Sequence, residues 1–430
     1  MRVAFETHGC KLNQADTLKL SEEFYKAGFE IVKETQPFDV YVLNSCTVTH
    51  VADRKSRNSA RSAKKLNPDS FLVFTGCYAE RDPQFLEAIK DIDLVIGNTD
   101  KKGLVGKVIA QLNLETDVPS NSISQHSMES FTSKTRAMVK IQEGCNQVCA
   151  YCIVPKVRGR ENSIPVTKLV DQINHLHKTG FKEVVLTGTQ LGSYGFDLPK
   201  TNLKYMLSNV LKNTDIPRIR VSSLQPQEIG ESLLELWEDP RLCQHFHVPL
   251  QSGSNSILKS MRRRYSSEQY LRSIARINSM LPEASITSDV IVGFPNESDQ
   301  DFDETLKVCK EINFSDLHVF KFSTRPGTSA AHMPDNVCFS TKSQRSRELI
   351  SIASNSFHRY RSTLIGKKEH VLWEEPSTNQ NPDGYSIYTG LTGNYIRVKA
   401  TSNKHLTGLI EPVTLNADTV ADSTVMLGLR

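Results

Sequence analysis

The sequence predicts an α/β protein in three parts: an amino-terminal α/β domain on a parallel sheet, a partial (β/α)6 barrel, and a small carboxyl-terminal antiparallel β-barrel. Three observations lead there. Short apolar strands alternate with helical segments from residue 1 to about 112; six further strand-helix units recur beyond residue 135; and from about Gly366 the chain breaks into short runs punctuated by Gly and Asn. At 430 residues the chain exceeds what one core normally supports, and about three domains are expected.

Composition narrows the class. Hydrophobic content of 38% and charged content of 23% describe a globular chain, and no apolar run approaches the roughly 20 residues that span a bilayer. No membrane association is expected. Met1–Glu6 lead directly into strand-like residues without a secretory core, which predicts a cytoplasmic protein. Reducing conditions there disfavour disulfides, and nine cysteines is an odd number, so metal ligation explains clustered thiols better. A net charge of +4 permits a polyanionic partner without demonstrating one.

In the first part, residues 1–112, strands are expected at Arg2–Glu6, Asp39–Asn44, Ser70–Thr75 and Leu94–Ile96. Function in open parallel sheets collects beyond the carboxyl ends of the strands. Cys10, Cys46 and Cys77 each stand just past such an end, so one sheet edge would gather three thiols distant in sequence. They could converge on a metal cluster with three protein ligands. Between them lies a basic stretch, Arg54, Lys55, Arg57, Arg61, Lys64 and Lys65, with no intervening acid, a candidate for phosphate contact.

Residues 113–134 lose periodicity and carry six serines, as expected of a linker. Across 135–365, strand candidates are Arg136–Gln142, Glu183–Thr187, Arg218–Ser222, His245–Leu250, Ile286–Val292 and Asp316–Phe322. The helix predicted over Val166–Gly180 puts Val166, Leu169, Val170, Ile173 and Leu176 on one face, and Gly180 offers a left-handed stop. Reacting groups of such barrels sit on loops at the carboxyl ends of the strands, where Cys145, Gly188, Gln251 and Gly293 fall.

One of those loops holds the densest chemistry, Gly144-Cys145-Asn146-Gln147-Val148-Cys149-Ala150-Tyr151-Cys152. Three thiolates can hold an iron-sulfur cluster but leave one iron open, whereas structural zinc sites and electron-carrying clusters usually close with four ligands. An open iron points to catalysis. Cys309 shares a helical face with Phe302 and Leu306 and reads as core, while Cys243 and Cys338 have no ligand-like neighbours in sequence.

The last part, residues 366–430, contains runs at His370–Trp373, Tyr385–Tyr388, Tyr395–Val398 and Pro412–Leu415. It resembles the TRAM domain, an RNA-binding module. Six Lys or Arg against seven acids give that resemblance no electrostatic support.

The cysteine loop, with Lys140–Gly144 before it and Ile153–Pro155 after it, resembles the radical S-adenosylmethionine (SAM) methylthiotransferases. The run Thr7–Gln14 resembles the branch that acts on N6-threonylcarbamoyladenosine at tRNA position 37, and the segments Leu186–Gly188, Leu191–Gly195, Pro249–Gly253 and Asp289–Pro295, with Met261–Tyr265, are similar to the same family. The chain departs from that family where histidine is expected at Gln190, a Pro-Tyr-type pair nearer Lys156-Val157, and a proline near Lys321.

The resemblance implies a tRNA-modifying enzyme that attaches a methylthio group to adenine C2, an unactivated aromatic C–H. It implies two 4Fe-4S clusters, one on Cys145, Cys149 and Cys152 that binds SAM, the other on Cys10, Cys46 and Cys77 that carries the sulfur. Gly188, Thr189, Ser222, Gln251 and Gly293 follow successive barrel strands in positions suited to SAM contacts, since glycine permits close backbone approach and the polar side chains can pair with ribose or carboxylate. Cleaving SAM calls for the reducing end of iron-sulfur potentials, so a donor such as flavodoxin or ferredoxin is implied. The same chemistry would serve another target, isopentenyladenosine in tRNA or a ribosomal protein; a non-enzymic iron-sulfur carrier or RNA-binding protein is the reading from another class.

Overall fold

The computed structural model describes residues 1–114, 135–380, 385–416 and 426–429, so nearly all of the expected linker lies outside the described residues. Its first unit is a five-stranded parallel sheet in the order β2-β1-β3-β4-β5. The strands are β1 (Arg2–Thr7), β2 (Glu30–Val32), β3 (Val40–Ser45), β4 (Phe71–Gly76) and β5 (Leu94–Ile96). Every residue of β3 is buried, as its central place and continuous apolar run require. The edge strand β2 has no counterpart among the sequence predictions. It is three residues long and more exposed, too short for its alternation to register.

Helices cover the sheet: α1 (Lys11–Lys26), α2 (His50–Leu66), α3 (Cys77–Arg81), α4 (Pro83–Glu87) and α5 (Leu104–Gln111). α2 starts where Thr49 Oγ1 accepts the Ala52 amide at 3.1 Å, a side-chain N-cap.

The second unit has six parallel strands in two three-stranded pieces. β6 (Arg136–Lys140), β9 (Glu183–Thr187) and β10 (Arg218–Val221) form one; β11 (His245–His247), β12 (Ser285–Val292) and β13 (Asp316–Lys321) form the other. A parallel bridge from Ser223 to His247 joins them into the partial barrel. A small ribbon of β7 (Gln142–Glu143) and β8 (Asn162–Ser163) brackets the cysteine loop. β11 is shorter than expected because Pro249 offers no ladder donor and Gln251 turns with φ of 64°. The helix Val166–Lys178 buries Leu169, Ile173 and Leu176, and Gly180 follows with φ of 102°.

The third unit is a closed barrel in the order β14-β15-β16-β18-β17, from β14 (Lys368–Gln380), β15 (Ser386–Thr392), β16 (Arg397–Ser402), β17 (Ile410–Asn416) and β18 (Met426–Leu429). Four of its five neighbouring pairs are antiparallel, as the sequence predicts, and β16 and β18 run parallel. Five strands in a ring cannot alternate direction all the way round, so one neighbouring pair must be parallel. Its β15–β16 turn docks on the second unit: Arg220 donates to Gly393 O at 2.9 Å and Thr392 O at 3.1 Å, and Tyr395 stacks on His245 at 4.3 Å.

Candidate active site

Each expected thiol of the first sheet is placed by a strand that stops. Cys10 is the extended N-cap of α1, Cys46 follows β3, and Cys77 opens α3 after β4. Gly9 lets them approach: its φ is 97°, and a Cβ there would lie 2.6 Å from Cys46 Cβ. Asn13, from the next turn of α1, is the hub. Its Nδ2 donates to His8 O at 2.7 Å and Ser45 O at 3.0 Å, and its Oδ1 lies 3.9 Å from Cys77 Sγ. Burial pushes the Cys46 thiol up to about 12.

The second set lies on the loop between β7 and β8. Cys145 Sγ accepts the Gln147 amide at 3.4 Å, and Arg263 donates to Cys149 Sγ at 3.3 Å while its guanidinium sits 4.9 Å over the Tyr265 ring. Burial pushes the Cys152 thiol up to about 12 and raises Cys145 as well. Neither set has its three sulfurs within 4.8 Å of one another; among the described residues that distance is met by His247, Asp289 and His318 alone. A single tetrahedral zinc would draw thiolates to roughly 4 Å, given Zn–S near 2.3 Å. In each set at least one pair of sulfurs is therefore wider apart than a single bound zinc would hold them.

The first set meets the second loop at Cys77. Cys77 packs against Ile153 and Val157 from the segment after Cys152, and Asn98 reaches both sides, 3.6 Å from Cys77 Sγ and 2.7 Å from Val157 O. Between the units lies a cavity of about 220 Å³ whose lining includes Val48 and Thr49 after Cys46, Tyr151 and Cys152, and Gln251 and Asp289 of the barrel.

Two buried ionic ties hold the units in that register. Arg158 donates to Asp16 at 3.0 Å and also to Asn13 Oδ1, and Lys140 and Lys101 reach the same carboxylate at 2.6 and 3.3 Å. Burial alone would raise the pKa of Asp16, but Lys101, Arg158 and Lys140 hold it well below the usual carboxylate range. On the other side of the cavity, Arg325 donates to Asp53 at 2.7 Å, and Arg81 meets the same carboxylate at 2.9 Å. These residues give no signal in sequence, since their partners come from different units.

The five expected SAM contacts divide. Thr189 Oγ1, Ser222 Oγ and Gln251 Oε1 are buried with no hydrogen-bond partner. Gly188 is packed where a Cβ would meet Gln142 O at 2.9 Å, and Gln142 Oε1 accepts the Thr189 and Gln190 amides, both at 3.0 Å. Gly293, with φ of 71°, is pressed against Lys342, and its amide donates to Glu297 at 2.7 Å. Gln225 and Glu228, which no motif in the sequence marks, link to Gln190 and, through Gln225, to Gln147 in the cysteine loop at 3.3 Å. Burial lifts the Glu228 carboxyl to about 7 despite hydrogen bonds from Gln225 and Gln190.

The basic stretch occupies α2, which begins at the cavity rim with Val48 and Thr49 just before it. Lys64 pairs with Asp93 at 2.8 Å and Arg57 donates to Tyr78 OH at 2.7 Å, whereas Arg54, Lys55, Arg61 and Lys65 are exposed and make no ion pair among the described residues.

Residues 2–97 match the Uncharacterized protein family UPF0004, and residues 139–309 match the Radical SAM superfamily. The chain is 37% identical to the threonylcarbamoyladenosine tRNA methylthiotransferase of Bacillus subtilis, covering 96% of this chain and 93% of that one. It is 38% identical to the protein of the same description from Aquifex aeolicus, over 95% and 99% of the two chains. It is 34% identical to the tRNA-2-methylthio-N(6)-dimethylallyladenosine synthase of Endomicrobium trichonymphae, over 87% and 88%. In fold it is similar to the radical SAM methyltransferase TsrM of Kitasatospora setae, solved with cobalamin and a [4Fe-4S] cluster, with a TM-score of 0.55, 13% identity and 76% of each chain covered.

Proposed function

The chain belongs to the radical SAM tRNA methylthiotransferase family, and from that membership we propose that it attaches a methylthio group to C2 of N6-threonylcarbamoyladenosine at position 37 of tRNA. The observation that carries this reading is the contact of Cys77, from the first set, with Ile153 and Val157 in the segment that follows Cys152, beside a cavity lined by Cys152.

Cys145, Cys149 and Cys152 would hold the 4Fe-4S cluster that binds SAM, and Cys10, Cys46 and Cys77 the second. Three ligands per set, sulfurs too far apart for one ion, and orphaned polar atoms on Thr189, Ser222 and Gln251 all fit that loading. When bound, the clusters and SAM supply the one-electron chemistry and the sulfur that an unactivated aromatic C–H demands.

The protein's own residues do the rest. Arg263 and Asn98 direct N–H groups at Cys149 and Cys77 sulfurs, and hydrogen bonds to ligating sulfur raise a cluster's potential. Ile291, Phe320 and Phe322 make the cavity wall apolar and help keep water from a reactive intermediate. The ties through Asp16 and Asp53 fix the distance between the two thiol sets.

In this reading residues 1–112 form the sulfur-carrying domain, 135–365 the radical SAM domain and 366–430 a TRAM domain that contacts tRNA, with 113–134 linking the first two. The partners are tRNA and a low-potential donor such as flavodoxin or ferredoxin, in the cytoplasm. No helix among the described residues is long and apolar enough to cross a membrane.

Mass spectrometry of tRNA nucleosides from cells with and without the gene tests the substrate. The 2-methylthio derivative of threonylcarbamoyladenosine should disappear on deletion; its persistence in a strain without a paralogue, or loss of the methylthiolated isopentenyladenosine instead, would overturn the assignment.

A further inference from the structure

Three adjacent parallel strands of the barrel bring together a set of side chains that the proposed chemistry leaves unused. His247 lies on β11, Asp289 on β12 and His318 on β13, with Asp289 and His318 directly paired across the ladder. Asp289 sits between the rings: its Oδ2 is 3.2 Å from His247 Nε2 and its Oδ1 3.1 Å from His318 Nδ1. The three ligand atoms fall within 4.8 Å of one another.

Each imidazole is held by its other nitrogen. His247 Nδ1 meets Thr287 Oγ1 at 3.0 Å, and His318 Nε2 meets Asp316 Oδ2 at 3.3 Å. Metal-bound histidines are oriented in this way, with the second ring nitrogen fixed by a carboxylate or hydroxyl so that one nitrogen is left for the metal. The His–Asp contacts are also longer than the 2.7–2.9 Å of a well-formed charge-assisted bond. Two imidazoles and one carboxylate with further positions open suit a divalent first-row transition ion.

We propose that His247 Nε2, the Asp289 carboxylate and His318 Nδ1 form a binding site for one divalent transition ion, distinct from both cysteine sets. The site is open on the substrate side, since Asp289 lines the cavity that also holds Cys152, Gln251 and Thr49. One consequence rests on the function proposed above. The threonylcarbamoyl group carries a carboxylate, which Asp289 alone would repel; an ion at this site gives that carboxylate, or the neighbouring carbamoyl oxygen, a ligand position.

Zinc is the probe. Protein carrying both clusters is equilibrated anaerobically with zinc against a weak chelator, and bound zinc is counted for the wild type, His247→Ala and His318→Gln. The wild type should retain about one zinc per chain more than either variant, and crystals should give an anomalous peak at the zinc edge amid the three side chains. Asp316→Asn should weaken retention by about 10- to 100-fold, the usual effect of losing an outer-shell partner. His318 is half exposed, so its substitution leaves the core packed, and circular dichroism checks this.

Equal zinc in wild type and variants, or no peak at this position, would overturn the site. Methylthiolation without zinc uptake would remove the site and leave the proposed function standing. Zinc uptake by protein that does not modify threonylcarbamoyladenosine would do the reverse.

Discussion

Arg158, in the segment that follows Cys152, donates to Asp16, in the helix that Cys10 begins, with Nη2 and Oδ2 3.0 Å apart. A buried ion pair therefore ties the two cysteine sets to one another, and Asn13, beside Cys77, accepts from the same guanidinium. Pairs of this kind are costly to break from one side because the remaining charge stays buried. Asp16→Ala leaves Lys101, Lys140 and Arg158 facing each other and should destabilise the protein by about 3–5 kcal/mol. Arg158→Ala leaves Asp16 with two lysines and should cost less. Chemical denaturation of the two variants gives the order, and an equal effect would contradict it.

Loss of thiols should separate the two sets functionally. Cys149→Ala should abolish formation of 5′-deoxyadenosine from SAM under dithionite, whereas Cys46→Ala should still form it and yield no methylthiolated tRNA. Each variant should lose about half of the reconstituted iron, as expected if each set holds one of two similar clusters.

Gly9→Ala tests the approach of the first set. Its φ of 97° and the 2.6 Å from a Cβ to Cys46 Cβ mean that both backbone and thiol must move. Strain of about 1–3 kcal/mol is expected, visible as a lower melting temperature, together with faster iron loss from the amino-terminal set than from the other.

Glu228 gives a pH signature. Its folded pKa, about 7, is raised from 4.5, so the folded chain keeps a proton that the unfolded chain has released. Its contribution to stability is complete below about pH 4.5 and is lost as pH rises through about 7. Glu228→Gln should remove that fall, so the variant gains on the wild type between pH 5 and 8 in thermal melts at matched ionic strength. A wild-type-minus-variant difference that does not move with pH would contradict it.

The exposed cations of α2 should be read by salt. Replacing Arg54, Lys55, Arg61 and Lys65 one at a time with Gln should weaken tRNA binding and lower the slope of log K against log salt by about 1 for each residue that touches phosphate. Arg57 and Lys64, already engaged with Tyr78 and Asp93, should change it less. Affinity that does not vary with ionic strength would remove α2 from the tRNA surface.

The strand-helix alternation of the first two parts and the positions of Cys10, Cys46 and Cys77 just past strand ends were legible in the sequence, because hydrophobic period and strand boundaries are local properties. The spacing of Cys145, Cys149 and Cys152 was legible for the same reason. What escaped had no local signature: β2, three residues at an edge; the parallel β16–β18 pair, forced by closing an odd ring; and the ties of Arg158 to Asn13 and Asp16 and of Arg325 to Asp53, each arginine more than a hundred residues from its partners. His247, Asp289 and His318 meet only because three strands stand in one register. The chain's pattern determined which residues end strands and carry thiols. Tertiary packing alone decided which side chains share a buried volume, since charge pairing and ligand convergence depend on distances in space that separation along the chain does not encode.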